Sequence, residues 1–420
     1  MTLFAFVADD FTGATDALWQ FRRFGLTGSL VMDVAHLHGG GDVIGLATTA
    51  RAAADPASVV MPAFEAMAAL GPLVVQYKIC STFDSSPEVG SIGAVVAALH
   101  RTGLAGRRPV PVLAAQPELG RYTWFANHFV RAGGRVHRLD RYPPARDHPV
   151  TPATEADLRV RLAEQGAGRV GWLPAEPSEE AYLARAADAA FVADVLTDRH
   201  LRTLGRLLLA DAERRGPLYC VGSGGLSYAL ASTGLGEPGA TESRGEGSPR
   251  TEGPPLSGPL AVAGPVLVVS GSRSPITARQ IDSAERAGWP VLDTSETVFA
   301  QVEEHLRAGR HTIVQSTRGP ARDPAGIGEL LGRIAAAAVR GGLARRLVVA
   351  GGDTSGEVVA ALGARSLDVV TVLAPGGPVC VLASDDPACD GLEVALKGGQ
   401  VGGDDYFLRA SGAHPVRRPE

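Results

Sequence analysis

Lysine is nearly missing from this 420-residue chain: among 40 basic residues only Lys78 and Lys397 are lysines, and the rest are arginines. Where lysine survives such a drift, a compact ammonium is favoured over a planar guanidinium fork. Cysteine is sparse too, and Cys80, Cys220, Cys380 and Cys389 show no CxxC spacing. That leaves no disulfide or zinc framework and suits a reducing cytoplasm. Positive charge is in deficit, with a formal net charge of −5 and a pI near 6.1. Neither a nucleic-acid backbone nor an anionic membrane would be attracted overall, although a local basic site for a small anion is compatible with this balance. The opening MTLFAFVADD has no basic n-region and meets acids after a short apolar run, so neither a signal peptide nor a membrane span is expected. No GxxxxGK[ST] sequence occurs, which excludes a Walker A loop.

What is present is alternation. Short β-rich runs such as LFAFVAD, GSLVMD, VIGLATT, LVVQYKI, PVPVLAA and LYCVGS are interleaved with helical stretches such as ATDALWQFRRFG and DRHLRTLGRLLLADAERRG. This is the signature of a mainly parallel sheet covered on both faces. From Gly234 to Pro259 the composition turns to Gly, Pro, Ser, Thr and Glu without apolar period, and then the alternation resumes with PVLVVSG, HTIVQST and RLVVAGG. The expected architecture is α/β: residues 1–233 as one domain, 234–259 as a flexible linker, 260–411 as a second domain and 412–420 as a tail. Each domain is expected to hold a mainly parallel sheet flanked by helices, with a cleft between the two.

In doubly wound sheets ligands bind beyond the carboxyl ends of strands. Three such places in the first domain are unusually polar. In ADDFTGATD, Asp9, Asp10, Thr12 or Thr15 could cap the following helix, but capping explains one acid and not two. Asp10, the second, is the residue that capping is expected to leave over for function. In YKICSTFDSSPEVGSIG, Lys78 is followed by Ser81, Thr82, Asp84, Ser85 and Ser86, ahead of a helix starting near Gly93; this suits an anionic carboxylate or phosphate. In AAQPELGRYTWFANHF, Gln116, Glu118, Arg121, Tyr122 and Asn127 offer groups that read hydroxyls, and Arg121 or Arg51 could grip a carboxylate bidentately. His148 precedes Thr151, which is expected to begin a capped helix.

The second domain has three glycine loops: SGSRSP with Ser270 and Ser272, AGGDTSGE with Gly351, Gly352, Asp353 and Thr354, and ALKGGQVGG with Lys397 and Gly399. Small residues there let backbone N–H groups approach phosphate. Together the two halves suit phosphoryl transfer from a nucleotide to a hydroxyl of a small acidic substrate, with Mg²⁺ and basic groups neutralising charge and a carboxylate beside the attacking hydroxyl.

ADDFTGATD, KICSTFDSSPEVGSIG, PELGRYTWFANHF, HPVTP, VGSGGL, SGSRSPITARQ, GGDTSG and the Lys397 loop, in this order, resemble the four-carbon acid sugar kinases over nearly the whole chain. The STFDSSP form looks like the 3-oxo-tetronate 4-kinase branch. The resemblance implies an N-terminal acid-sugar domain, a C-terminal nucleotide domain and transfer from ATP to the 4-hydroxyl, an alcohol acceptor. It implies ATP contacts at Ser270, at Gly351, Gly352, Asp353 and Thr354, and at Gly399. The final loop reads KGGQVG where the family resembles KSGNFG, so its backbone rather than Gly398, Gln400 and Val401 side chains carries the likeness. On this reading Asp10 or Asp9 orients or deprotonates the substrate hydroxyl. Lys78 and an arginine hold its carboxylate, Ser81 and Thr82 read its oxygens, and Lys397 neutralises phosphate charge. Rival readings are a D-threonate, D-erythronate or L-threonate kinase of the same fold, a nicotinamide-dependent dehydrogenase, and a non-enzymatic sugar-acid sensor. A homodimer is compatible with such a fold.

Overall fold

A computed structural model of the chain describes residues 2–233, 264–295, 297–318 and 324–412. The expected linker 234–259 and residues 413–420 of the expected tail lie outside them. Two compact units emerge, Met1–Ser29 with Asp33–Pro254, and Leu30–Met32 with Pro255–Glu420.

The first unit is built on strands β1 (Phe4–Ala8), β3 (Val43–Ala47), β4 (Val74–Lys78), β5 (Val110–Leu113), β9 (Val170–Leu173), β10 (Ala190–Ala193) and β11 (Leu218–Gly222). They lie in the order β3-β1-β4-β11-β5-β10-β9, and every pairing is parallel. β1, β3, β4 and β11 are buried at every position, as strands covered on both faces must be. Helices Phe11–Arg22 and Pro56–Ala68 follow β1 and β3, and each begins on an aspartate cap, Asp10 and Asp55. Because all these strands point one way, their carboxyl ends collect the loops after residues 8, 47, 78, 113, 193 and 222 along one edge.

The stretch PELGRYTWFANHF, singled out for its hydrogen-bonding groups, supplies β6 (Arg121–Trp124) and the start of β7 (Asn127–Ala132), which with β8 (Arg135–Arg138) form an antiparallel sheet. Its tight turn puts Phe125 and Ala126 at φ of 51° and 62°, where glycine or asparagine is usual. Asp194 stabilises that turn by accepting both backbone N–H groups, at 2.7 and 2.9 Å. No helix starts at Thr151. Its N–H bonds His148 Nδ1 at 3.0 Å, closing a local turn, and the next helix waits for the better cap Asp157 and runs Leu158–Glu164.

In the second unit β12 (Val266–Ser270), β13 (Val291–Asp293), β14 (Thr312–Gln315), β15 (Arg346–Ala350) and β18 (Glu393–Lys397) pair in parallel in the order β13-β14-β12-β15-β18. The antiparallel β17 (Gly377–Ser384) and β16 (Ala364–Ala374) extend it, and Leu30 and Val31 of β2 (Gly28–Val31) pair with β16. GSLVMD, read with the first run of strands, thus gives residues 30–32 to the second unit. Val266, Val268, Ile281, Ile313, Val348 and Phe407 form its packed core.

Candidate active site

At the end of β1 the backbone delivers two buried carboxylates side by side. Asp10 is the helix cap: Gly13 N donates to its Oδ1 at 2.7 Å, and Thr12 Oγ1 donates to its Oδ2 at 2.7 Å. The expectation that Asp10 is the acid left over by capping is therefore corrected; Asp9 is. The reason is where β1 stops: the helix begins at Phe11, which puts Asp10, with extended φ and ψ, at the cap. Asp9 is instead gripped by Arg51, whose Nε and Nη2 donate to its two oxygens at 3.1 and 2.7 Å, while Nη1 donates to Asp10 Oδ2 at 2.6 Å. The bidentate grip expected of Arg51 exists, but its carboxylate belongs to the protein. Cys80 N also donates to Asp9 Oδ2, at 3.3 Å.

Lys78 ends β4, is 3% exposed, and donates to Ile79 O at 3.0 Å. A Cβ at Gly13 would fall 2.7 Å from its Nζ and 2.5 Å from Asp10 Oδ1, so Gly13 is what admits the ammonium beside the aspartate. The two acids separate electrically. Burial, with the Asp10 charge, pushes Asp9 above its ordinary value despite Arg51 and Lys78. Burial acts upward on Asp10 as well, but Arg51, Lys78, Thr12 and Gly13 N outweigh it and hold Asp10 below the usual carboxylate range. Asp10 is thus the fixed anion of the pair.

Ser81 and Thr82 follow on the next loop, with Thr82 Oγ1 donating to Asp84 at 3.0 Å. Phe83 is fully buried there at φ 56°, a strained conformation for an aromatic residue. The loop is braced by His128, a residue of β7 that the sequence reading passed over. Its Nε2 meets Ser81 O at 2.8 Å and its Nδ1 meets Thr123 Oγ1 at 3.0 Å. A carbonyl only accepts, so Nε2 carries the proton. Burial, with Arg121 and Arg161 nearby, lowers its pKa to about 4 and keeps it neutral. Arg121 donates to Leu119 O and is itself pulled below its ordinary value by burial.

Gln116 stands apart. Its amide donates to Asp16 Oδ2 at 3.0 Å, and it borders a cleft of about 440 Å³ lined by Gln20, Arg23, Glu118, Tyr122 and Tyr228. Asp9, Asp10, Arg51 and Lys78 do not line that cleft, so its size is no guide to where the charge chemistry sits.

In the second unit the three glycine loops follow adjacent strands β12, β15 and β18 and converge. Gly351 N donates to Lys397 O at 3.1 Å and takes φ 122°, open to glycine only. A Cβ at Gly271 would lie 2.3 Å from Thr354 Oγ1, so that glycine lets the first two loops touch. Gly399 lies against Ser272 and Ser274. Gly352 and Asp353 open the Gly352–Ala361 helix, whose free N–H groups face the same end of the sheet. Ser270 is fully buried and its hydroxyl has no partner among the described residues. Lys397 is fully buried; Nζ donates to Thr277 Oγ1 at 3.0 Å and lies over the rings of Tyr406 and Phe407, at 5.7 and 5.9 Å. Burial without a carboxylate lowers its pKa to about 7.

Gln280 was not singled out in the sequence, though it ends the SGSRSPITARQ stretch. Its fully buried amide donates to the carbonyls of Val401, Gly402 and Gly403 at 3.0, 3.3 and 2.9 Å, shaping the last loop. Gln280→Leu, which leaves those carbonyls unmatched, is expected to cost about 1–3 kcal/mol of stability. Thermal unfolding checks it.

One half thus gathers buried acids, an arginine and a lysine at its strand ends, and the other gathers glycine loops around a buried lysine. A family model for a sugar-binding N-terminal domain matches residues 4–230, and one for a nucleotide-binding C-terminal domain matches residues 267–407. The chain is 35% identical to the 3-oxo-isoapionate kinase of Paraburkholderia graminis, over 96% of this chain and 93% of the relative. It is 32% identical to the 3-oxo-tetronate kinase of Methylobacterium radiotolerans, over 96% and 97%. The crystal structure of a Salmonella typhimurium LT2 protein is similar at a TM-score of 0.74 and 26% identity, over 98% of each chain. The chain belongs to the four-carbon acid sugar kinase family.

Proposed function

We propose that this protein phosphorylates the terminal hydroxyl of a 3-oxo acid sugar with ATP, most closely a 3-oxo-tetronate converted to its 4-phosphate. The observation that carries the reading is the buried Asp9–Arg51–Asp10 cluster with Lys78 beside it, at the strand ends of the half that matches a sugar-binding domain. Phosphoryl transfer asks for positioning and charge neutralisation more than for covalent help. Asp10, held ionised, accepts a hydrogen bond from the substrate hydroxyl, aims it, and takes its proton as the hydroxyl oxygen bonds the γ-phosphorus and the bond from that phosphorus to ADP breaks. Asp9 fixes Arg51, and Arg51 fixes Asp10. Lys78 supplies positive charge for the substrate carboxylate, with Ser81 and Thr82 bordering it.

In the second unit Ser270, Ser272, Gly351, Gly352, Thr354 and Gly399 form the phosphate cradle, and the buried Lys397 adds charge there. The orphan hydroxyl of Ser270 and the glycine-only approach at Gly271 fit such a ligand. Among the described residues no group of three or more His, Cys, Asp or Glu could hold a metal ion. Mg²⁺ bound with the nucleotide phosphates would supply charge neutralisation, and Asp353, in the first turn of the Gly352–Ala361 helix, is the acid of these loops that would hold it. No helix among the described residues is long and apolar enough to cross a membrane. A cytoplasmic location fits the use of ATP and four free thiols.

A second reading, 3-oxo-isoapionate as substrate, is favoured by the 35% identity to the Paraburkholderia graminis enzyme. An ADP-release assay across 3-oxo-tetronate, 3-oxo-isoapionate, D-threonate, D-erythronate and L-threonate decides. The highest kcat/KM is expected for a 3-oxo acid. Turnover confined to the threonates or erythronate would overturn the 3-oxo assignment, and ATP-independent binding alone would overturn the kinase.

A further inference from the structure

Arg161 lies on the Leu158–Glu164 helix, away in sequence from every motif considered above, and is only 6% exposed. A buried guanidinium ordinarily meets a carboxylate, because desolvating a lone cation is expensive. Here no ion pair is made among the described residues. Nη2 donates to Ser85 O at 2.8 Å, the guanidinium stands over the Phe83 ring at 5.3 Å, and Nη1 has no partner among the described residues. Burial pulls the group below its ordinary value, and the carboxylates felt there, Asp84 first, do not restore it.

The helix that carries Arg161 is tied to the loop at a second point. Gln165, at the end of the same helix, donates to Ser85 Oγ at 2.5 Å and accepts from Gly93 N at 2.9 Å. The loop it contacts is the one that carries Ser81 and Thr82, and it is held in a strained shape by Phe83. Of the other arginines near this loop, Arg51 already spends its fork on Asp9 and Asp10, and Arg121 donates to Leu119 O.

We infer that Arg161 is a specificity-determining residue that binds the carboxylate of the acid sugar through its unpartnered Nη1, beside the 81–85 loop. The inference rests on the acid-sugar kinase reading and adds the group that distinguishes an acid from a neutral sugar. The incoming carboxylate completes an ion pair that the fold leaves half built, at a site screened from water where a charge-assisted bond is strongest. Arg51 is thereby released from substrate binding and keeps its role in fixing the aspartates.

The experiment compares Arg161→Lys, Arg161→Gln and Arg161→Met in the full-length enzyme, with 3-oxo-tetronate and ATP as substrates. A lost charged hydrogen bond predicts KM for the acid raised about ten- to a hundredfold in the Gln and Met variants, with KM for ATP unchanged and Lys recovering part of the loss. Erythrulose, the neutral ketose with a hydroxymethyl in place of the carboxylate, should inhibit all variants equally. If Lys and Gln are equally impaired, or the erythrulose constant rises in step with KM for the acid, Arg161 only braces the loop and the inference falls. Should Met fail to fold, the Lys-to-Gln comparison still decides. If the wild-type enzyme itself turns over no acid sugar, the kinase reading has failed instead.

Discussion

Asp10→Asn is expected to lower kcat by about 10²- to 10⁴-fold with a smaller loss of thermal stability, confined to the bond from Arg51 Nη1 that the new amide cannot accept. The reason lies in the double duty of this side chain. As a helix cap it needs only an oxygen to accept from Gly13 N, and asparagine caps as well as aspartate does. Arg51 stays anchored through its two bonds to Asp9. What the substitution removes is the negative charge that Arg51, Lys78 and Thr12 maintain, and with it, on the proposed reading, the means to aim and deprotonate the attacking hydroxyl. Asp9→Asn should behave differently: it breaks the fork that fixes Arg51 inside a buried cluster, so stability falls together with activity. Steady-state kinetics and thermal unfolding on both variants separate the roles. An Asp10→Asn enzyme that keeps kcat within about tenfold of wild type would remove Asp10 from the chemistry.

The alternation of β-rich and helical runs was enough to read two α/β units, because parallel sheets impose buried apolar strands and polar strand ends on the sequence itself. The polar strand ends were legible for the same reason: Asp9, Asp10 and Lys78 all stand within two residues of a strand terminus. The division of labour between the two aspartates was not legible. A boundary uncertain by one or two residues is enough to exchange the cap for its neighbour, and a propensity cannot place it more finely.

Partners fixed by tertiary structure were invisible for a related reason. Arg51 comes 41 residues after Asp10, and nothing in RAAADP reveals that its fork closes on carboxylates of the same chain. Arg161 is the second of two arginines in RVRLAEQ, and only its burial without an ion pair among the described residues sets it apart. His128 and Gln280 brace loops through single side chains whose neighbours are set by strand order. The two lysines that survive the drift to arginine both end strands and are both buried.

Lys397 supports the second large prediction. Lys397→Met should lower turnover by about 10²- to 10³-fold, as loss of a preorganised charge beside a transferring phosphate does. It should also stabilise the protein, since a thioether sits among Thr277, Tyr406 and Phe407 without the desolvation that lowers the lysine pKa to about 7. The pH dependence carries a sign. An unfolded lysine titrates near 10.4. Between about pH 7 and that value the unfolded chain therefore binds more protons than the folded one, and this residue makes stability rise with pH across that window. ATP works in the other direction, because phosphate favours the ammonium. Above about pH 7 nucleotide binding must take up a proton, and affinity for ATP should fall as pH rises. Calorimetric titration with ATP at alkaline pH, in buffers of different ionisation enthalpy, reads the proton directly. Uptake in the wild type that disappears in Lys397→Met places the ammonium at the phosphates, whereas equal uptake in both, or turnover left intact in the variant, would show that Lys397 is only a buried amine of the core.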